Sequence, residues 1–216
     1  MHPYSKKMDV NEKQVQIMEA AERLFADKGF AGTSVRDIAE SASVNLAMIS
    51  YYFGSKQKLM EAIFRYRGQH LTLQLQNILQ NKELSPMQKV ERLIEDYIDR
   101  IFKKQCFHKV MIREQIANNN DAITEQIFRL KQTNLALIKQ LIIEGQKKGD
   151  FKKNVDISFL AMTLIGTTSQ LVMAQRYYRK ENNLEELSEE EFEKHMKKKL
   201  LSYLKNVFKA ILVYEA

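Results

Sequence analysis

With 216 residues, 44% of them hydrophobic and 28% charged, the chain is long enough to bury its own core and too apolar for intrinsic disorder. Two prolines and seven glycines are too few for the turns of a sandwich or barrel, so composition points to an all-α protein. The net charge of +7 suggests an anionic partner without naming one, because the basic excess is spread along the chain: ten Lys/Arg against eight Asp/Glu in residues 1–67, and 24 against 19 in the rest.

Apolar stretches such as Phe159 to Ile165 fall far short of the roughly 20 residues that span a bilayer, so no membrane partner is expected. A lone cysteine, Cys106, excludes an intrachain disulfide and a Cys-based zinc site. Together with a polar Met1–Gln14 that carries no secretory signal, it agrees with a cytoplasmic location.

Ile17, Ala20, Ala21, Leu24 and Phe25 form one stripe of an amphipathic helix from Glu12 to Lys28, which Gly29 stops. Ser34 and Asp37 fit a capping box that opens a second, short helix bearing Val35, Ile38, Ala39 and Ala42. After the Ser41-Ala42-Ser43 break, Asn45 caps a third short helix to about Tyr52, with Ile49 and Phe53 pointing inward. Ser55 is the N-cap of a long fourth helix carrying Leu59, Ala62, Ile63 and Tyr66 toward Leu79.

Ser85-Pro86-Met87-Gln88 is a strong start signal for a helix to about Lys104. Cys106–Asn118 reads as a shorter helix, broken by Asn118-Asn119-Asn120-Asp121. Ala122–Gln146 follows, with Gly145 and Gly149 marking its end. Val155–Tyr178 is the most apolar helix, Arg179–Leu187 reads as an exposed charged connection, and Ser188 opens a last helix to about Tyr214. This punctuation predicts about nine helices.

Two short helices joined by a tight turn, with the small Ala39 where they approach, describe either a helix-turn-helix or an ordinary helical corner. The residues are more specific. Thr33-Ser-Val-Arg-Asp-Ile-Ala-Glu, Val44 and Tyr51-Tyr52-Phe53-Gly54-Ser55-Lys56, preceded by Ala21 to Leu24-Phe25 and by Gly29-Phe30, resemble the DNA-binding domain of the tetracycline-repressor (TetR/AcrR) family over about residues 11–66. Ser43 stands where the family usually has glycine, Ser50 where it has tyrosine and Tyr52 where it often has histidine, while Leu46 and Met48 replace common polar residues.

The resemblance implies a helix-turn-helix domain at 1–66, its motif at about 34–53, and a helical effector-binding and dimerisation domain at 67–216. Thr33 and Ser34 match the family's backbone-contacting hydroxyls, and Arg36 is a phosphate or base contact. Asn45 is suited to adenine and Leu46, Ala47 and Met48 to thymine methyls, which biases the half-site toward A·T. Ser50 lies on the same helix, Tyr51 and Tyr52 match the family's phosphate-binding aromatic pair, and Lys56 matches its phosphate-gripping lysine. The implied function is a homodimeric transcriptional repressor that releases a pseudo-palindromic operator when a small molecule binds.

Two late helices are apolar over more than one stripe: Phe159, Leu160, Thr163, Leu164, Thr167 and Leu171 on one, and Tyr203, Leu204, Val207, Phe208 and Ile211 on the other. In the family such helices form an intersubunit four-helix bundle; the alternative is that they close the monomer core. An effector cavity in residues 67–180 draws its candidates from Tyr97, Phe102, His108, Met111, Arg113, Glu114, Phe128, Gln170, Met173 and Tyr177.

Catalysis is not expected. GxSxG, Walker, Rossmann and HExxH motifs are absent, the four histidines are scattered, and Cys106 and His108, two apart, face different sides of a helix. No cofactor or metal is called for. The competing readings are a non-switching DNA-bound structural factor and a helical partner-binding module; a membrane-surface helix at Phe192–Leu212 is better explained by dimer burial.

Overall fold

A computed structural model describes residues 9–117 and 121–214. The expected break at Asn118-Asn119-Asn120 and the first eight residues lie outside the described residues. Among those described the protein is all-α, with ten helices and no strand. They are α1 (Glu12–Lys28), α2 (Val35–Ser41), α3 (Leu46–Phe53), α4 (Lys56–Gln80), α5 (Pro86–Lys103), α6 (Gln105–Ala117), α7 (Asp121–Lys148), α8 (Ile157–Met173), α9 (Gln175–Glu181) and α10 (Glu189–Leu212).

Local chemistry sets most of the starts. Asn11, Ser34, Ser85 and Ser188 each accept a hydrogen bond from the N3 backbone N–H, while the N3 side chain returns to the cap's own N–H. Asp156 caps α8 by accepting from the N–H groups of Ser158 and Phe159.

The tenth helix arises because the expected Val155–Tyr178 helix breaks at Ala174, where α8 and α9 meet at 76°. Neither proline nor glycine causes the bend. It brings Tyr178 and Arg179 onto the Phe192 ring of α10, and Arg179 then donates to the Leu184 carbonyl at 3.1 Å and also bonds the Leu187 carbonyl. The charged connection is therefore pinned at its start rather than simply exposed. A second correction concerns α7, which runs through Gly145 to Lys148. The glycine is needed there because the buried Phe151 ring lies where a Cβ would sit, 2.2 Å from it. Gly149, at φ +81°, follows the helix.

The helices pack into two compact units, residues 1–74 with 105–133 and residues 75–104 with 134–216. This grouping differs from a single cut after Tyr66, since α6 and the first part of α7 join the N-terminal helices. The first unit is closed by Ile17, Phe25, Ile38, Ile49, Leu59 and Ile63, with Val110, Ile123 and Ile127 from α6 and α7. In the second, α5 packs against α8 and α10, and α10 supplies a stripe at every fourth residue from Phe192 to Leu212. No single described helix is long and apolar enough to cross a membrane.

Candidate nucleic-acid interface

The α2–α3 corner is built from its backbone outward. Ala42, Ser43 and Val44 donate to the carbonyls of Ile38, Glu40 and Ala39 at 2.9, 3.0 and 3.0 Å, a Schellman-type ending that places Ser43 at φ +48°. Gln16 of α1 fixes the turn by donating to the Ala42 carbonyl at 2.7 Å. The left-handed conformation costs a non-glycine residue about 1–2 kcal/mol, and glycine gives part of that back through a freer unfolded chain. Ser43→Gly is therefore expected to raise unfolding stability by roughly 0.5–1 kcal/mol in urea melts; a loss would mean that the serine hydroxyl makes a compensating contact.

α3 is a two-turn helix with one face buried and one bare. Ile49 and Phe53 are 1% and 7% exposed and hold it to the first unit's core, whereas Tyr51 is 85% exposed. Leu46, Ala47 and Ser50 share the exposed side, and Met48 and Tyr52 are half-buried at its margins. The Tyr51 and Tyr52 rings meet edge to face at 5.2 Å. On α2, Ser34 and Arg36 are exposed.

Three of the expected DNA contacts are otherwise occupied. Thr33 is 1% exposed, and its hydroxyl bonds the Gly29 and Leu24 carbonyls at 2.8 and 3.2 Å, so it ties the loop to α1 rather than reaching outward. The Lys56 ammonium donates to the Phe30 and Thr33 carbonyls at 2.8 and 2.7 Å and lies 4.3 Å from the Phe30 ring centre. Asn45 caps α3, its Oδ1 accepting from the Ala47 N–H at 2.9 Å, which leaves its amide N–H groups as the outward donors.

Electrostatics at the α2 N-terminus are mixed. The backbone N–H and hydroxyl of Ser34 hold the Asp37 carboxyl below its ordinary pKa, so a negative charge sits inside the capping box. The phosphate-facing candidates beside it are Arg36 and the free N–H groups of the helix start.

A contrast between two substitutions checks this assignment. Tyr51→Phe is expected to leave thermal stability unchanged and to weaken binding to every duplex by about 1 kcal/mol, or roughly fivefold. Lys56→Met is expected to cost about 1.5–3 kcal/mol of stability, because two part-buried carbonyls lose a charged donor. Unfolding curves and fluorescence anisotropy on labelled DNA separate the two outcomes.

The effector candidates divide between the two units. His108, Met111, Arg113, Glu114 and Phe128 belong to the first unit. There His108 is buried, Phe128 is exposed, and Arg113 donates to the Phe25 carbonyl at 3.2 Å, fastening α6 to α1. Burial raises the Glu114 pKa.

Tyr97, Phe102, Gln170, Met173 and Tyr177 fall in the second unit. Phe102 is core, while Met173 and Tyr177 are exposed. Burial pushes the Tyr97 phenol up to about 12, against the opposing influence of Arg100 and a hydrogen bond with Ser169. Arg100, absent from the sequence-derived candidates, lies with its guanidinium 5.1 Å from the Tyr97 ring centre.

The expected dimer residues also divide. Leu160, Leu164, Leu204 and Phe208 are at most 9% exposed and form the subunit's own core. Phe159, Tyr203 and Ile211 are bare, as are Met162 and Ile165, and Gly166 opens onto empty space. Thr163, Thr167, Leu171 and Val207 are half-buried. Two adjacent helices thus leave a broad apolar face uncovered in a single subunit.

Known proteins resemble the chain in sequence and in fold. Residues 17–63 match the profile of the bacterial regulatory proteins of the tetR family, and residues 83–181 match a tetracyclin repressor-like C-terminal domain. The chain is 34% identical over 149 residues to a probable HTH-type transcriptional regulator, YttP, of Bacillus subtilis, covering 67% of this chain and 69% of that one. It is 26% identical over 156 residues to the HTH-type transcriptional repressor KstR2 of Mycolicibacterium smegmatis, covering 71% and 74%.

Among solved structures, the ketosteroid transcriptional regulator KstR2 of Mycobacterium tuberculosis superposes with a TM-score of 0.71 over 96% of this chain and 98% of that one, at 19% identity. The regulator FadR from Bacillus subtilis in complex with stearoyl-CoA gives 0.63 over 88% and 96%, at 18% identity. At these identities the structural likeness speaks for the fold.

Proposed function

Because the chain belongs to the TetR family of transcriptional regulators, not enzymes, we propose that it is a cytoplasmic, homodimeric repressor that leaves a pseudo-palindromic operator when a small molecule binds. The observation that carries the DNA-binding half is α3 itself: a short helix anchored through Ile49 and Phe53 that presents Tyr51 almost fully to solvent. Such a helix fits a major groove. Leu46, Ala47 and Met48 read thymine methyls, the Asn45 amide donates to a base edge, and Ser34, Arg36, Ser50, Tyr51 and Tyr52 hold the backbone. Lys56 contributes positive charge from a fixed position. Thr33 orders the loop.

One corner covers little DNA, so specificity asks for two copies about 34 Å apart, one helical turn, or a multiple of it. The bare faces of α8 and α10 supply the join, burying Phe159, Met162, Ile165, Tyr203 and Ile211 against their counterparts. The effector binds within the second unit, and α4, continuous from Lys56 to Gln80, carries its influence to α3. A coupling of about 1–3 kcal/mol is enough for a switch of this kind.

Since a structural neighbour was solved with stearoyl-CoA, long-chain acyl-CoA is the first effector class to try. The test is anisotropy of a bound operator duplex titrated with stearoyl-CoA and with free CoA. Release by the acyl compound supports the switch. Operator affinity that no acyl-CoA or other small-molecule class changes would identify a non-switching DNA-bound factor instead.

A further inference from the structure

Between α5 and α8 the second unit keeps polar groups that its own fold does not use. Among the described residues Arg100 makes no ion pair or side-chain hydrogen bond: its guanidinium rests on the Tyr97 ring at 5.1 Å, while the neighbouring Asp96 carboxylate is bonded to Arg92 at 3.1 Å. Tyr97 is linked to Ser169 on α8. One position earlier, on the buried stripe formed with Leu160, Leu164 and Val172, lies Thr168, which is 0% exposed and whose hydroxyl has no hydrogen-bond partner among the described residues.

A buried hydroxyl left unpaired works against folding, and the half-buried Arg100 has as its neighbouring carboxylate one that is already bonded to Arg92. Desolvation is the chief influence on Arg100, and it draws the guanidinium below the ordinary arginine range although Tyr97 and Asp96 favour its charge. Groups placed at such a cost are explained when a ligand completes them.

We propose that this α5–α8 layer is an anion-recognition point, where Arg100 pairs with a carboxylate or phosphate group of the bound effector and Thr168 hydrogen-bonds the same molecule. This deepens the effector reading given above and rests on it. The guanidinium fork suits a planar carboxylate or a phosphate through paired N–H groups, and the Tyr97 face beneath holds its plane in place. Ile101, Phe102, Leu164 and Val172 belong to the buried core of the same unit, and an apolar setting of that kind strengthens such a pairing.

The test uses the full-length protein and three chain-matched probes: dodecanoate, dodecanoyl-CoA and dodecanol. Calorimetry without DNA measures binding, and anisotropy on an operator duplex measures release. The charged probes are expected to bind and dodecanol to bind at least about tenfold more weakly. Arg100→Met is expected to weaken the charged probes by about tenfold or more, with Arg100→Lys recovering part of the loss. Dodecanoate binding alone identifies a carboxylate as the recognised group, and dodecanoyl-CoA binding alone identifies a phosphate.

A readout free of any ligand accompanies these. Arg100→Met and Thr168→Val are each expected to leave the melting temperature unchanged or higher, because Thr168 has no hydrogen-bond partner among the described residues and Arg100 gives up only its contact with the Tyr97 ring while shedding a desolvated charge. A clear drop for both would assign them structural roles and overturn the proposal. Equal binding of dodecanol and dodecanoate, probe binding indifferent to Arg100, or no binding of either charged probe at millimolar concentration would do the same. Arg100-dependent binding that leaves the operator complex intact upholds the anion point while refuting the switch.

Discussion

Replacing Phe159 and Tyr203 together by glutamate is expected to turn the protein into a monomer and to lower its affinity for an inverted-repeat duplex by about 10²–10⁴-fold. The two side chains are 69% and 57% exposed, so the subunit does not need them for its own core and its helix content and melting behaviour should persist. In a dimer the second reading head binds at the high effective concentration that the first provides, and a monomer forfeits that advantage entirely. Sedimentation velocity and anisotropy on matched half-site and full-site duplexes read both effects. Leu204→Glu is the contrasting control: Leu204 is 0% exposed, and a buried unpaired charge there should unfold the second unit rather than only separate subunits. A double variant that stays dimeric would place the interface elsewhere.

Arg67→Met is expected to destabilise the first unit by about 3–5 kcal/mol. Arg67 on α4 grips Glu22 of α1 through two bonds, 2.6 and 3.0 Å, and reaches Glu19 at 3.3 Å. Desolvation opposes the Arg67 charge, but the Glu22 and Glu19 carboxylates outweigh it and raise its pKa. Glu22 is itself 4% exposed, so removing the guanidinium leaves a carboxylate stranded in the interior. Combining Arg67→Met with Glu22→Gln should restore much of the loss, and a double-mutant cycle in urea isolates the coupling. A single-variant cost below about 1 kcal/mol would show a pair that behaves like an exposed one. The tie matters to DNA binding because α1 and α4 frame the core on which α3 sits.

What could be read from the sequence was the short-range chemistry. The hydroxyls of Ser34, Ser85 and Ser188, each three residues before Asp, Gln or Glu, place helix starts without reference to anything distant. Ile49 and Phe53 announce the buried side of α3 by their spacing. Asn11 and Gln14 form an equally complete box that the same rule would have found. Ser43 was visible as a departure from glycine, and the positive φ explains why glycine suits the position.

Contacts between residues far apart in the chain were not legible. Lys56 looks like a free surface lysine until the Phe30 and Thr33 carbonyls fold onto it, and Thr33 looks like an exposed hydroxyl until α1 covers it. Arg113 meets Phe25 across 88 residues, which no local pattern encodes. On α8, Phe159 and Leu160 are adjacent and similarly apolar. Periodicity marks such a helix as buried without saying which stripe belongs to its own subunit and which is left for a partner. Arg100 does not stand out in the sequence because a cation in the last turn of a helix already has an ordinary explanation in the helix dipole.

The most direct measurement is selection of bound duplexes from a random pool by the purified full-length protein. Two reading heads held at a fixed separation should enrich an inverted repeat whose half-site centres lie about 34 Å apart or at a multiple of that distance. Enrichment of a single unrepeated motif, or of no sequence above random competitor, would contradict paired recognition through α3.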